Sequence, residues 1–154
     1  NVTSNVQTFG ALTIKTLDKV VQEDARSLIF DGSAAAAYTI IGNFPEDLRA
    51  YPEAKSALSF SIKIDLAPSD KVTVAMLCGG DCKAELDIAD QLSALPVGQW
   101  QTLTIDLACF VKAGADLSTV MSPYQLASKG KVALSIADVE FIPQLAETAS
   151  LSCQ

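Results

Sequence analysis

Residues 57–66 read ALSFSIKIDL, in which apolar and polar side chains alternate from Leu58 to Leu66. Because successive side chains of a strand point to opposite faces, this stretch predicts a long β-strand with one buried face. Residues 72–78 (VTVAMLC) predict a second strand. The turn-forming residues 67–70 (APSD) separate the two, so a β-hairpin is the expected connection.

The same alternation recurs along the rest of the chain. Further strands are predicted at 12–16, 27–30 and 36–41, and two more have inward rows at Leu103, Ile105 and Leu107 and at Val132, Leu134 and Ile136. Val139 and Phe141 continue the last row only if a β-bulge shifts the register near Asp138. Helical signal is limited to a turn or two at 45–50, 87–92 and 116–121. Many strands with almost no helix predict an all-β protein, an antiparallel β-sandwich with only short helical turns.

The composition fits one globular domain. The chain has 154 residues, with 11 basic and 18 acidic side chains and a net charge of −7. We expect a single sandwich over residues 1–144 and a polar tail over 145–154. An acidic surface repels phosphate groups, so neither nucleic acid nor an anionic membrane is an expected partner. Histidine is absent, which excludes Ser–His–Asp triads and Cys–His dyads, and we do not expect an independent enzyme.

The four cysteines, Cys78, Cys82, Cys109 and Cys153, allow three disulfide pairings. We favour Cys78–Cys82 with Cys109–Cys153, because the two glycines at 79–80 let the backbone close a small ring. Free buried thiols are one alternative. A four-cysteine zinc site is another, although such sites usually have two close pairs and only one is present. A disulfide at Cys153 would hold the tail, and disulfides indicate a periplasmic or extracellular location.

Carboxylates are numerous, and most are expected to be solvated surface charges. A glycosidase needs two of them facing each other across a cleft, which spacing along a β-sandwich sequence does not reveal. Asp24, Asp31 and Asp138 lie near the ends of predicted strands, where they are candidate ligands for a structural calcium ion. No segment has the ligand spacing of a calcium-binding loop. We therefore expect no required cofactor, and a structural calcium ion is only a possible partner of these aspartates.

Aromatic side chains are the expected platform for a sugar, since a pyranose stacks its C–H face on a ring. Trp100, the single tryptophan, is out of phase with the inward row that follows it. It therefore faces solvent or a partner, unless it caps the open end of the sandwich. Tyr51 and Tyr124 adjoin prolines at predicted loop tips, and Arg49 could donate hydrogen bonds to sugar hydroxyls. The candidate carbohydrate-binding residues are Trp100, Tyr124, Tyr51 and Arg49.

Four stretches carry a resemblance to a known family. They are QEDARSLIFDGSAAAAYTI at 22–40, ALSFSIKID at 57–65, CGGDCKAELDI at 78–88 and LPVGQWQTLTIDLACFVKAGADLSTVMSPYQLASKGKVALSIADVEF at 95–141. Together they resemble the C-terminal accessory domain of bacterial family 3 glycoside hydrolases of the exo-1,3/1,4-β-glucosidase type. The most specific parts are the W-x-T-L-x-I-x-L-x-C-F run over 100–110 and the G-A-D that follows it.

The resemblance implies a jelly-roll, galactose-binding-domain-like fold, similar to a carbohydrate-binding module, placed after the catalytic domains of a secreted or periplasmic enzyme. It also implies that the catalytic aspartate lies on another domain. Two departures are visible: the family usually has phenylalanine at Tyr124, and a glycine- or serine-rich turn at 34–37. We expect the chain to bind β-glucan or present it to the parent hydrolase. The alternative is a structural domain that docks on the catalytic domains and stabilises them without binding sugar.

Overall fold

The computed structural model describes residues 6–9, 12–17, 19, 25–40, 56–78, 82–116 and 119–143. The strands in these ranges are β1 (Val6–Phe9), β2 (Leu12–Leu17), β3 (Ala25–Asp31), β4 (Ala36–Ile40), β5 (Ser56–Leu66), β6 (Val72–Cys78), β7 (Lys83–Asp87), β8 (Trp100–Asp106), β9 (Val120–Ser128) and β10 (Lys131–Pro143). The helices in these ranges are α1 (Ala89–Ser93) and α2 (Leu107–Lys112). All pairings between these strands are antiparallel, which confirms the predicted all-β class.

The strands form two five-stranded sheets that pack face to face. Sheet 1 has the strand order β1-β4-β9-β6-β7, and sheet 2 has the order β2-β3-β10-β5-β8. Phe60 of β5 and Tyr124 of β9 meet between the sheets, with ring centroids 5.2 Å apart and ring planes inclined by 67°. Both side chains are fully buried. The molecule is therefore the antiparallel β-sandwich that the sequence predicts. Among the described residues, no helix is long and apolar enough to cross a membrane.

Several connections carry the chain from one sheet to the other, and two of them are hydrogen-bonded to each other. β5 pairs with β8 and β10 in sheet 2, whereas β6 pairs with β7 and β9 in sheet 1. The predicted hairpin between 57–66 and 72–78 is therefore wrong. The pattern could not distinguish a hairpin from a connection that crosses between sheets. Alternation shows which face of a strand is buried, but not which strand lies next to it. The connection from β9 to β10 also crosses between the sheets, from sheet 1 to sheet 2. We call residues 67–71 and 128–131 together the double arch.

Hydrogen bonds join the two halves of the double arch. The Ser69 N–H donates to the Lys131 carbonyl oxygen at 2.9 Å, and the Lys131 N–H donates to Ser69 Oγ at 2.8 Å. Ser128 Oγ donates to the Lys71 carbonyl oxygen at 3.1 Å and accepts from the Gly130 N–H at 3.1 Å. These bonds satisfy backbone groups that lie beyond the ends of the strand ladders, so the connections are held in place.

A β-bulge interrupts β10 at Asp138, whose φ is +55°. The register between β10 and β5 shifts between Ala137 and Glu140. Val139 and Phe141 thereby remain packed against the core. The predicted register shift near Asp138 is confirmed.

The helical predictions are partly wrong. The helical signal at 87–92 corresponds to α1. The segment 116–121 was also predicted to be helical, but β9 begins within it, at Val120. The third predicted segment, 45–50, lies outside the described residues. Leu107 was predicted to continue a strand, but β8 ends at Asp106 and α2 follows. The cause is a helix cap, because Asp106 Oδ1 accepts a hydrogen bond from the Ala108 N–H at 3.0 Å.

The cysteines of the described residues are all in disulfides. Cys78 and Cys82 are joined to each other across the end of the β6–β7 hairpin, with Cα atoms 4.8 Å apart. This is the pair that the sequence analysis favours. Cys109 is also disulfide-bonded. Cys153 and the tail 145–154 lie outside the described residues, so the Cys109–Cys153 pairing stays a prediction.

Candidate functional site

The outer face of sheet 1 has a floor of small side chains. Ala37 of β4, Ala127 of β9 and Thr73 of β6 are neighbours in register on that face. Ala75, one row along the sheet, is fully buried although it faces away from the core. Small side chains rise little above the backbone, so taller neighbours enclose a depression here.

A groove with a volume of about 570 Å³ lies over the part of this floor formed by Thr73 and Ala127, whereas Ala37 and Ala75 do not line it. Thr73 and Ala127 line its bottom, and Lys83 and Glu85 of β7 line one side. Lys83 Nζ lies 3.9 Å from Glu85 Oε1, so these two charges offset each other. The volume falls within the range of about 300–1,000 Å³ that is typical of small-molecule sites.

One end of the groove is built by the double arch. Asp70, Lys71 and Lys129 line it, and all three are exposed to solvent. Asp70 Oδ1 accepts the Lys71 N–H at 2.6 Å, which fixes the carboxylate next to the turn. The groove therefore combines a flat, uncharged bottom with charged groups at one side and one end.

A polar pair lies beside the groove on the same face of sheet 1. Gln125 of β9 donates from Nε2 to Thr39 Oγ1 at 2.9 Å, and both side chains are nearly buried. Within the groove itself, Thr73, Lys83 and Glu85 offer hydroxyl, ammonium and carboxylate groups. Sugar hydroxyls both donate and accept hydrogen bonds, and these groups supply partners for either role. None of the described residues lining the groove is aromatic.

Trp100 lies on the other side of the sandwich from the groove. It begins the edge strand β8 of sheet 2 and pairs with Lys63 of β5. The Lys63 and Lys19 ammonium groups lie 5.7 Å and 5.5 Å from the centroid of the indole ring. Both are within cation–π distance, so lysine side chains already occupy positions next to the half-buried ring. Trp100 and the groove cannot bind the same sugar residue.

The described candidate calcium ligands are far apart. Asp31 pairs with Lys131 at one end of the β3–β10 ladder, and Asp138 lies seven residues further along β10, about 23 Å away. Asp31 and Asp138 therefore cannot bind the same ion. Within the described residues, no three potential metal ligands come together. Asp24 lies outside the described residues.

Local donors already engage both carboxylates. The Ser33 N–H and Oγ both donate to Asp31 Oδ1, at 2.8 and 2.6 Å, and these hydrogen bonds lower the pKa of Asp31. Asp138 Oδ2 accepts from Ser61 Oγ at 3.0 Å and lies 3.4 Å from Lys19 Nζ. The two aspartates thus have structural roles, in a turn and at the bulge. Calcium remains an untested prediction.

Tyr124 is in the core and cannot touch a ligand, which corrects its assignment to a loop tip. Pro123 precedes it inside β9, and the ring points between the sheets against Phe60. The pattern misled because a proline next to an aromatic residue is typical of loops. Tyr51 and Arg49, the other two candidates, lie outside the described residues. Of the four candidate sugar-binding residues, the structure thus leaves only Trp100 on a described surface.

Tyr38 and Tyr124 bury their hydroxyl groups without a hydrogen-bond partner among the described residues. Burial raises the pKa of Tyr124 well above its ordinary value, and the neighbouring Tyr38 phenol adds to the effect. Burial also raises the pKa of Tyr38, which nearby Arg26 lowers in part. Both phenols are therefore neutral in the folded protein at pH values where an exposed tyrosine ionises.

We expect alkaline unfolding to involve these two phenols. The unfolded chain ionises tyrosine near a pH of about 10, whereas the folded state holds the proton, so stability is intact below that pH and falls above it. A titration that follows phenolate absorbance and near-ultraviolet circular dichroism should show both phenols ionising only as the fold is lost. Tyr124→Phe and Tyr38→Phe identify the two signals by subtraction. Ionisation of either phenol in the intact fold would contradict this prediction.

Sequence reasoning missed the groove because its residues are ordinary in type. Thr73, Ala127 and Glu85 belong to three strands and meet only through sheet pairing. β9 and β7 were not predicted as strands, so their outer faces could not be assigned. One signal was available. Thr73 and Ala75 alternate with the inward-facing residues of a strand that was recognised, so they lie on its outward face.

Comparison with known families and structures identifies the class of domain. Residues 1–141 match the Exop_C family, described as galactose-binding domain-like. The chain belongs to this family of β-sandwich domains. No curated protein matches the sequence significantly.

Several solved structures with a similar fold are named as glycan-degrading enzymes or carbohydrate-binding modules. The extra C-terminal domain of the exo-1,3/1,4-β-glucanase ExoP from a Pseudoalteromonas species aligns with a TM-score of 0.70 at 20% identity, over 98% of this chain and 83% of that one. The longer ExoP structure aligns over 94% of this chain, with a TM-score of 0.69 at 20% identity, but this chain spans only 18% of its length. The family 30 carbohydrate-binding module of the Clostridium thermocellum cellulase Cel9D-Cel44B aligns with a TM-score of 0.68 at 16% identity, over 92% and 88% of the two chains. The likeness establishes a carbohydrate-binding-module-like fold.

Proposed function

We propose that this chain is a non-catalytic accessory domain that binds glycan in the groove on the outer face of sheet 1. The observation that carries the proposal is the groove itself, a volume of about 570 Å³ over a flat bottom of small side chains with polar groups around it. A sugar chain presents hydroxyls along its edges and needs a bottom that does not obstruct it. The groove supplies hydrogen-bond partners at its side and end.

The fold supports this proposal by analogy. A domain of the same fold lies in an exo-1,3/1,4-β-glucanase, and a family 30 carbohydrate-binding module has the same sandwich. We therefore propose β-glucan as the ligand and a secreted or periplasmic glycoside hydrolase as the parent enzyme. The role proposed is to hold that enzyme at its polymer while the chemistry takes place on other domains.

The test is calorimetric titration of the chain with laminari- and cello-oligosaccharides. We expect saturable binding with a dissociation constant below about 1 mM. Ala127→Phe places a ring on the bottom of the groove, and it should weaken binding by more than about tenfold, since the ring occupies the space of a sugar. Ala127 is half-buried and faces outward, so the ring can extend toward solvent without entering the core.

Ala133→Phe is the matched control. Ala133 is also a half-buried alanine that faces outward on an inner strand, but it lies on sheet 2 next to Ile29 and Leu66. This variant should bind glycan as the parent chain does. Equal binding by both variants would contradict the groove as the site.

Trp100→Ala separates the groove from the site that the sequence favours. Binding that survives in Trp100→Ala and is lost in Ala127→Phe supports the groove, and the reverse result supports the tryptophan. Failure to bind any glucan would favour the docking alternative. Ile29 and Leu66, exposed by 38% and 44% on the outer face of sheet 2, would then be the first residues to examine.

A further inference from the structure

We propose that the double-arch end of the groove binds an acidic group of the glycan, so that the preferred ligand carries carboxylate or sulfate substituents. This inference rests on the proposed function, since it assigns a ligand class to the same groove. It differs from a neutral glucan site in requiring cationic side chains that are free to meet the ligand. Lys71 and Lys129 are the residues assigned to this role.

The two lysines are held at the groove by an ordered framework. The Lys71 carbonyl oxygen accepts the Ser128 hydroxyl at 3.1 Å, and the Lys71 N–H donates to Asp70 Oδ1 at 2.6 Å. Lys129 lies between Ser128 and Gly130, which are joined by a hydrogen bond of 3.1 Å. The backbones that carry the two ammonium groups are thus fixed before a ligand arrives, which lowers the entropy lost on binding.

The charge at this end is positive, in contrast to the molecule as a whole. Lys71 and Lys129 contribute two positive charges and Asp70 one negative charge, which leaves +1 at this end, whereas the chain carries −7. The remaining charged pair of the groove, Lys83 and Glu85, is neutral in sum. Within the described residues, neither Lys71 nor Lys129 forms an ion pair, so both ammonium groups are available to an anion.

A carboxylate or sulfate is the group that such ammonium donors recognise. Charge-assisted hydrogen bonds from lysine to an anionic oxygen are stronger than bonds to a neutral hydroxyl. The site is open to solvent, so each contact adds little by itself and the gain is sensitive to salt. We therefore expect a preference for acidic over neutral glycan, superimposed on binding by the rest of the groove.

The experiment compares ligands that share one backbone. Cellotetraose, its C6-oxidised uronate form and its 6-sulfated form are titrated into the intact chain at low salt. We expect one or both acidic ligands to bind about fivefold more tightly than cellotetraose at low salt. The gap should close in about 1 M NaCl, where the screening length falls to about 3 Å. The two acidic probes distinguish carboxylate from sulfate as the group recognised.

The double variant Lys71→Gln/Lys129→Gln should bind all three ligands equally. Lys15→Gln/Lys112→Gln, which removes the same charge from positions outside the groove, should keep the preference. Equal affinity of the parent chain for acidic and neutral ligands would overturn this inference and leave the proposed function standing. A preference that persists in Lys71→Gln/Lys129→Gln would overturn the assignment to the double arch. Absence of binding to every ligand would overturn both the inference and the proposed function.

Discussion

Replacing Tyr124 with alanine should lower the free energy of unfolding by about 4 kcal/mol, whereas replacing it with phenylalanine should raise it by about 1 kcal/mol. The alanine variant removes a fully buried ring that packs edge-on against Phe60, where the two sheets meet. The surrounding strands can close only part of the space, so the loss includes both the burial of the ring and the cavity that remains.

The phenylalanine variant keeps the ring and deletes only the hydroxyl. In the folded protein that hydroxyl is buried without a partner among the described residues, whereas in the unfolded chain it is hydrated. Its removal therefore relieves a desolvation cost and sacrifices no hydrogen bond. The sign of the effect, a gain in stability from a deletion, distinguishes this explanation from a general loss of packing.

Urea denaturation of the three proteins measures both effects. Tyr38→Phe is the matched control, because the Tyr38 hydroxyl is also buried without a partner among the described residues, and it should give a gain of similar size. A loss of stability in Tyr124→Phe would show that the hydroxyl has a partner, such as a buried water, and would refute the argument from desolvation.

Gly130→Ala should lower the free energy of unfolding by about 2 kcal/mol. A Cβ at Gly130 would lie 2.5 Å from Asp70 Cβ and 2.8 Å from Ser69 Oγ, in the other half of the double arch. Asp70 Cβ is fixed to its backbone, so relief requires the two connections to separate. The glycine is needed for space alone, because its φ does not lie in the left-handed region.

A double-mutant cycle with Asp70→Gly tests this explanation. Removal of the Asp70 Cβ should recover part of the stability lost in Gly130→Ala, with a coupling of about 1 kcal/mol. Gly98→Ala is the contrasting control, since Gly98 has open space around it but a φ of +81°. The stability lost in Gly98→Ala should therefore not change when Asp70→Gly is added. Purely additive effects of Gly130→Ala and Asp70→Gly would exclude close contact as the cause.

The sequence predicted which faces of the strands are buried. Phe60 and Ile62 alternate with Ser61 and Lys63, and the structure places the first pair in the core and the second pair on the outer side of sheet 2. The register shift near Asp138 was also predictable, because the phase of the apolar residues changes there. These features depend on local periodicity, which one strand carries within itself.

The candidate site was poorly predicted from sequence. Tyr124 was chosen for its neighbouring proline, yet it is in the core. Trp100 was chosen because it is the single tryptophan and does not belong to the inward row that follows it, yet it is flanked by two lysines. Glu85 and Ala127, 42 positions apart in the printed sequence, line one groove only because β7, β6 and β9 are neighbours. No local pattern carries that information.

By itself, the sequence determined the class of fold, the buried faces and the favoured Cys78–Cys82 pair. The tertiary structure decided that the connection after Leu66 crosses between sheets, that Tyr124 lies inside and that a groove forms on sheet 1. The physical reason is the same in each case. Burial of an apolar face is a property of each strand, whereas the choice of neighbours depends on how all the strands share one core.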